Sequence, residues 1–148
     1  VKFRGHAHRS LDDKGRLILP PSFKDLILEN VPEGYIVLTV FNNQVIGITP
    51  TQWDHIESEI EKIKAPDPDV EETKLMLYAC YTEVAVNKQG RIALPAQLRK
   101  TGGLESDVEV MGAGNHFQIR PAGSFEELMS RRRNIAPQMA EYNVDLKL

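Results

Sequence analysis

The 148 residues are 41% hydrophobic and 26% charged, the balance of a folded globular chain rather than a disordered or fibrous one. A net charge of −3 excludes a molecule that is basic overall, so a nucleic-acid contact would need a local patch. Residues 1–24 supply one: Lys2, Arg4, Arg9, Lys14, Arg16 and Lys24 against Asp12 and Asp13 give +4, which leaves −7 for the rest of the chain.

In chain order, Ala7, Arg9 and Leu11 alternate with His6, His8 and Ser10, the period of a strand. A turn at Lys14-Gly15 leads to a second strand over 16–19, and Pro20-Pro21 opens a short helix with Phe23, Leu26 and Ile27 on one face. Two strands, 35–41 and 45–49, flank a turn at Asn42-Asn43. Thr51 and Asp54 approximate a capping box for a helix whose apolar stripe is Trp53, Ile56, Ile60 and Ile63, a pattern of core packing. Ala65-Pro66-Asp67-Pro68-Asp69 breaks the chain, and 70–80 reads as helix, with the lone Cys80 in its apolar run. One thiol cannot form an internal disulfide, so a reducing compartment is expected; no stretch nears the ~18 apolar residues of a membrane span, and the expectation is a cytoplasmic chain without a leader.

The pattern then starts again. Asp12–Lys24 returns 75 residues later as Asn87–Arg99, with Gly, Arg, Leu and Pro identical among thirteen positions. A strand over 81–86, a turn at Gln89-Gly90, a strand over 91–94, Pro95, a helix closed by Gly102, and strands 108–111 and 116–120 around a turn at 112–115 repeat the first order. Val45–Pro50 pairs with His116–Pro121, and Thr51–Trp53 with Gly123–Phe125. Ser124 and Glu127 are expected to cap a last helix carrying Phe125, Leu128 and Met129, with Arg131–Arg133 on its solvated face and Pro137 near its limit. Each unit has too few strands to bury both sheet faces. Two units interlocking would remove the edges. The division is residues 1–64 as first repeat, 65–74 as linker and start of a connecting helix, and 75–148 as second repeat, all in one composite domain.

Phe3-Arg4-Gly5, Leu11–Leu17 with Pro20, and the second Gly90-Arg91-Ile92 with Leu94-Pro95 and Leu98-Arg99 resemble the MraZ family over nearly the whole chain. That family carries one Asp-x-x-x-Arg motif per repeat; here they read Asp12…Arg16 and Asn87…Arg91, the second acid having become an amide. The resemblance implies an α+β, mainly β fold: an AbrB-like swapped-hairpin barrel built by two tandem repeats, with peripheral helices. It implies a transcriptional regulator that binds direct repeats in double-stranded DNA, upstream of a cell-division and cell-wall gene cluster that includes its own gene. It also implies a ring-shaped homo-oligomer associated with the nucleoid, and no cofactor. AbrB-like relatives place DNA-facing basic groups at the positions of Arg9, Arg16 and Lys24; in the second repeat these are Val84, Arg91 and Arg99, so the first repeat is expected to carry most of the contact.

Arginine suits this chemistry because its planar fork grips a phosphate, or guanine O6 and N7, with two hydrogen bonds. The candidate DNA-binding residues are Arg4, Arg9, Lys14, Arg16, Lys24, Arg91 and Arg99, with Asp12, Gly15, Asn87 and Gly90 shaping the turns. Asp12…Arg16 reads equally as a turn brace and as a device that aims the arginine. Gly15 and Gly90 are backbone devices. An enzyme is disfavoured: Asp12 and Asp13 would point to opposite sides of a strand, His6 and His8 lack a third ligand nearby, and no phosphate loop or nucleophile elbow is present. The alternative is an oligomeric scaffold or antitoxin-like protein-binding module without specific DNA binding.

Overall fold

The computed structural model describes residues 1–64 and 67–148. Ala65 and Pro66, the first two residues of the expected linker segment 65–74, lie outside the described residues. In the first half, β1 (His6–Ser10), β2 (Arg16–Ile18), α1 (Pro21–Asn30), β3 (Tyr35–Phe41), β4 (Gln44–Ile48) and α2 (Pro50–Ile60) follow one another. Then come α3 (Pro68–Ala79), β5 (Thr82–Ala85), β6 (Arg91–Ala93), α4 (Ala96–Gly102), β7 (Asp107–Gly112), β8 (Phe117–Pro121), α5 (Ser124–Ser130) and α6 (Ala136–Glu141).

Strands of the two halves interleave in one antiparallel six-stranded sheet of order β1-β7-β8-β4-β3-β5, while β2 pairs with β6 in a separate two-stranded ribbon. The sheet's two edge strands, β1 and β5, feed through tight turns into β2 and β6. The Asp12 N–H donates to the Arg16 carbonyl and the Asn87 N–H to the Arg91 carbonyl, so the circuit is bridged at these turns rather than by a continuous ladder. The expected mixed, strand-rich AbrB-like fold, with hairpins interlocked between repeats, is the one present.

The order has an internal two-fold. The pair β1–β7 answers the pair β5–β3, and β2–β6 and β4–β8 answer themselves. The backbone also locates where the repeat changes step. The Leu11 N–H donates to the Ser106 carbonyl and the Val86 N–H to the Gly34 carbonyl; the donors are 75 residues apart and the acceptors 72. The difference is that α4 has 7 residues against 10 in α1. The hairpin registers, Val37↔Ile48 and Val108↔Pro121, carry the 72-residue spacing into β4 and β8. Val45 is therefore equivalent to Phe117, one residue away from the correspondence read in the sequence. The likeness of Ile48 to Ile119 and of Pro50 to Pro121 hides this step, since Pro50 opens α2 whereas Pro121 ends β8. In strands, a one-residue slip exchanges the two faces.

The main core lies inside the circuit and draws on both halves: Leu17, Leu19, Phe23, Ile27, Val45, Ile92, Leu94, Leu98, Val110, Phe117 and Ile119 are buried there. Phe3, Phe23 and Phe117 meet with ring centroids 5.2 to 5.5 Å apart. Gly47 makes room for them, since a Cβ there would sit 2.2 Å from the Phe117 ring. A second cluster of Val37, Ile46, Ile48, Trp53 and Leu77 lies on the outer face of β3 and β4 beneath α2 and α3. That double coverage explains why β3 is buried on both faces. The Thr39 hydroxyl donates to the Leu77 carbonyl at 2.7 Å and ties α3 to the sheet.

The helix ends differ from their sequence signals. Thr49, not Thr51, caps α2 by accepting from the Gln52 N–H, and Ile63 lies beyond the helix. Asp67 caps α3 by accepting from the Asp69 and Val70 N–H groups, so the helix starts at Pro68, two residues before the start at 70 that the sequence predicts. Gly103, at φ 65°, ends α4 one residue after Gly102. Gly123 stands at the α5 cap in place of Ser124, and one first-turn amide is met from the sheet: buried Glu109 Oε2 accepts from the Phe125 N–H at 2.6 Å. α5 stops at Ser130, so Arg131–Arg133 are off the helix, and Pro137 falls in the first turn of α6.

Candidate nucleic-acid interface

The β2–β6 ribbon is three residues long on each strand and centres on the pair Leu17↔Ile92. Side chains alternate across it. Leu17 and Ile92 are buried in the core, and Arg16, Ile18, Arg91 and Ala93 form the outer face. Because Arg16 lies opposite Ala93 and Ile18 opposite Arg91, the two arginines sit diagonally about the internal two-fold.

Each strand of the ribbon is entered by the same turn. Asp12 Oδ1 accepts from the Lys14 and Arg16 N–H groups, both at 2.9 Å, and Oδ2 accepts from Arg16 Nε at 2.7 Å. The Arg16 backbone N–H, then the Arg16 guanidinium and the Lys14 N–H, stabilise the carboxylate and hold its pKa down at about 2. In the second turn Asn87 Oδ1 accepts from the Gln89 and Arg91 N–H groups at 3.0 and 2.8 Å. The amide therefore keeps the whole backbone half of the motif. What it gives up is the ion pair: among the described residues Arg91 has no carboxylate partner, whereas Arg16 is held by Asp12.

The turn glycines are covered from the opposite half. Gly15 (φ 76°) lies against the Arg99 guanidinium, and Gly90 (φ 85°) against the Lys24 stem. Arg99 Nε also donates to the Leu94 carbonyl at 3.1 Å, while the Leu94 N–H donates to Gly15 and the Leu19 N–H to Gly90. Lys24 and Arg99 are thus half-buried cross-braces as well as cations at the flanks of the ribbon.

Arg9 points inward from β1, where its equivalent in β5 is the buried Val84. Its Nε donates to the Ile18 carbonyl at 2.7 Å and its Nη1 to the His8 carbonyl at 2.9 Å. It ties β1 to β2 across the unladdered seam and leaves only part of its fork to a ligand. Lys14 stands exposed on the first turn. Arg4 is set apart: it precedes β1 beside the Phe3↔Gly114 bridge, at the end of the strand away from the turn. Four residues lie between it and Arg9, and the first of them, Gly5 at φ 92°, turns the chain before β1 begins.

Two residues join the surface that the sequence reading did not single out. Lys88 is exposed on the second turn, one residue beyond Asn87. Ile18 is 42% exposed on the ribbon's outer face, opposite Arg91. The alternation of Arg16, Leu17 and Ile18 held the signal for Ile18, and the turn repeat held it for Lys88. Among the described residues no group of three His, Cys, Asp or Glu side chains stands close enough to hold a metal ion, and no helix is long and apolar enough to cross a membrane.

A duplicated turn–ribbon–helix unit, with hairpins exchanged between the two copies and a basic ribbon at their shared axis, defines an AbrB-like swapped-hairpin protein. Comparison with known proteins narrows the class. The family profile described as "MraZ protein, putative antitoxin-like" matches residues 77–143. Similar full-length proteins are the transcriptional regulator MraZ of Maridesulfovibrio salexigens, 37% identical over 99% of both chains, and that of Nitratidesulfovibrio vulgaris strain Hildenborough, 32% identical over 97% of both. The Solidesulfovibrio magneticus protein of the same name is 40% identical over 84% of this chain and 83% of its own. The chain belongs to the MraZ family.

Proposed function

We propose that the protein is a cytoplasmic transcriptional regulator that binds double-stranded DNA through the β2–β6 ribbon and the two turns that enter it. The observation that carries this reading is the outward, diagonal placement of Arg16 and Arg91 about the internal two-fold, with Lys14, Lys24, Lys88 and Arg99 around them. A two-stranded ribbon fits the major groove, where arginine forks reach guanine edges and phosphates alike. The two repeats, residues 1–64 and 75–148 joined by 65–74, act together as one DNA-binding unit because each strand of the ribbon comes from a different repeat. Arg16 and Arg91 are the base-reading candidates. Lys14, Lys24, Lys88 and Arg99 are phosphate contacts, Arg9 mainly braces the seam, and Arg4 contributes only general attraction.

One protomer offers about 3–5 phosphate contacts, too few for tight binding at physiological salt. Self-assembly into a ring that reads spaced direct repeats supplies the missing affinity through effective concentration. The names of the relatives support the regulatory role, and the target we infer is the DNA upstream of the protein's own gene in a cell-division and cell-wall cluster on the nucleoid. The test is fluorescence anisotropy with that upstream DNA and a scrambled control across a salt series. Preference for the upstream DNA on a steep salt slope, with that preference reduced by both Arg16→Ala and Arg91→Ala, supports the reading. Equal weak binding to both DNAs refutes sequence-specific regulation and favours the scaffold.

A further inference from the structure

From Arg131 onward the chain packs into neither core cluster, yet it carries a regular apolar stripe. Ile135 at the N-cap of α6, Met139 within it and Tyr142 at its C-cap are spaced i, i+4 and i+7, the spacing that one helical face presents. Ile135 is 44% and Tyr142 72% exposed, and Val144 and Leu146 continue the apolar series. Isolated helices this short are marginal in water, so most of their stability comes from whatever their apolar face lies against.

The complementary surface is on the first half. A groove of about 380 Å³ runs between the outer face of β4 and α2, floored by Ile46, Ile48 and Leu77 and walled by Ile56 and Ile60. Phe41, 43% exposed, stands at its rim and also faces the adjoining hollow against α3. Ile63, equally exposed, lines that hollow. The surrounding segment 50–79 holds eight acids and three lysines, a net −5, whereas 131–148 holds three arginines and Lys147 against Glu141 and Asp145, a net +2. An apolar helix face with a basic approach, and an apolar groove with an acidic rim, match in both chemistry and sign.

We infer that the 131–148 segment of one protomer docks in the α2–α3 groove of a second copy, with Ile135, Met139 and Tyr142 as anchors beneath the acidic rim. The contact joins two different surfaces, so it is heterologous and propagates head to tail, closing into a ring when the rotation allows. It rests on the self-assembly part of the function proposed above and names its faces, both away from the arginine ribbon.

Sedimentation velocity on the full chain tests it. Two double variants change only surface positions: Ile135→Glu with Tyr142→Glu removes the tail anchors, and Phe41→Glu with Ile63→Glu spoils the groove. Each variant alone should associate at least about a hundredfold more weakly than the unaltered chain, the loss expected when central anchors are removed. Mixed one to one, they retain one good tail and one good groove between them, and should form a 1:1 heterodimer and nothing larger. A tail variant that assembles like the unaltered chain overturns the inference, as does a mixture that stays monomeric while circular dichroism shows both variants folded. A monomeric unaltered chain overturns it too. Anisotropy on a duplex with one binding site separates these outcomes from failure of the DNA-binding reading, because both variants keep the ribbon and should bind that duplex as the unaltered chain does.

Discussion

Replacing Gly15 and Gly90 by alanine, one at a time, tests whether the two repeats brace each other. The glycines are equivalent in the repeat and share a left-handed backbone, φ 76° and 85°. A side chain in that conformation costs about 1–2 kcal/mol at either position. Their surroundings differ. At Gly90 an added Cβ would meet only the flexible Lys24 stem, nearest atom 3.2 Å, which can yield by a few tenths of an ångström. At Gly15 it would lie 2.7 Å from the Arg99 guanidinium and 2.9 Å from the Leu94 carbonyl, a backbone atom of the other half. Displacing Arg99 gives up its bond to Leu94, about 1 kcal/mol. Moving the 94–96 backbone strains a packed seam by about 1–3 kcal/mol. Gly15→Ala should therefore cost about 3–6 kcal/mol and Gly90→Ala about 1–2 kcal/mol. With a urea slope of about 2 kcal/mol/M the midpoints fall by roughly 1.5–3 M and 0.5–1 M. Equilibrium urea unfolding followed by Trp53 fluorescence measures both. Equal losses, or a larger one at Gly90, would refute the cross-repeat contact as the reason for the difference.

Further outcomes follow from the same geometry. Arg16→Ala and Arg91→Ala should each weaken binding to upstream DNA by about 1–3 kcal/mol if the fork reads a guanine, whereas Lys88→Ala should lower the salt slope by about 1 and weaken all sequences alike; a salt-series titration of the three separates the roles. Asp12→Asn should fold normally, since Asn87 already shows an amide making both turn bonds. Its acid-unfolding curve should differ from that of the unaltered chain. A carboxylate whose pKa is lowered from 3.8 to about 2 contributes stability above the unfolded value and loses it as pH falls towards 2, so the variant should unfold less steeply over that window. Thr39→Val, which leaves the Leu77 carbonyl without its donor, should cost about 1–3 kcal/mol and raise amide exchange in α3 before the rest of the chain.

The sequence by itself carried the repeat, because turn glycines, prolines and strand alternation are local requirements that each copy must meet on its own. Asp12–Pro20 and Asn87–Pro95 had to look alike since the same turn, ribbon strand and helix start recur. The arginine pair could be named for the same reason. Helix ends were less legible: Thr49 displaced Thr51 at the α2 cap, and Glu109 reaches a first-turn amide of α5 from the sheet, a partner that no neighbouring residue announces. Tertiary structure alone decided the facing. The 75-residue step becomes 72 after the shorter α4; the sequence pairs Thr51–Trp53 with Gly123–Phe125 at that spacing, but only the hydrogen-bond register carries it into β4 and β8, with Val45 rather than Ile46 equivalent to Phe117. It also decided that Arg9 spends much of its fork on the Ile18 and His8 carbonyls, that Arg4 stands apart, and that Lys24 and Arg99 brace the other repeat's turn. Sequence periodicity records which residues share a face of one element. Pairing between elements distant in the chain is a long-range choice, made where the whole core packs.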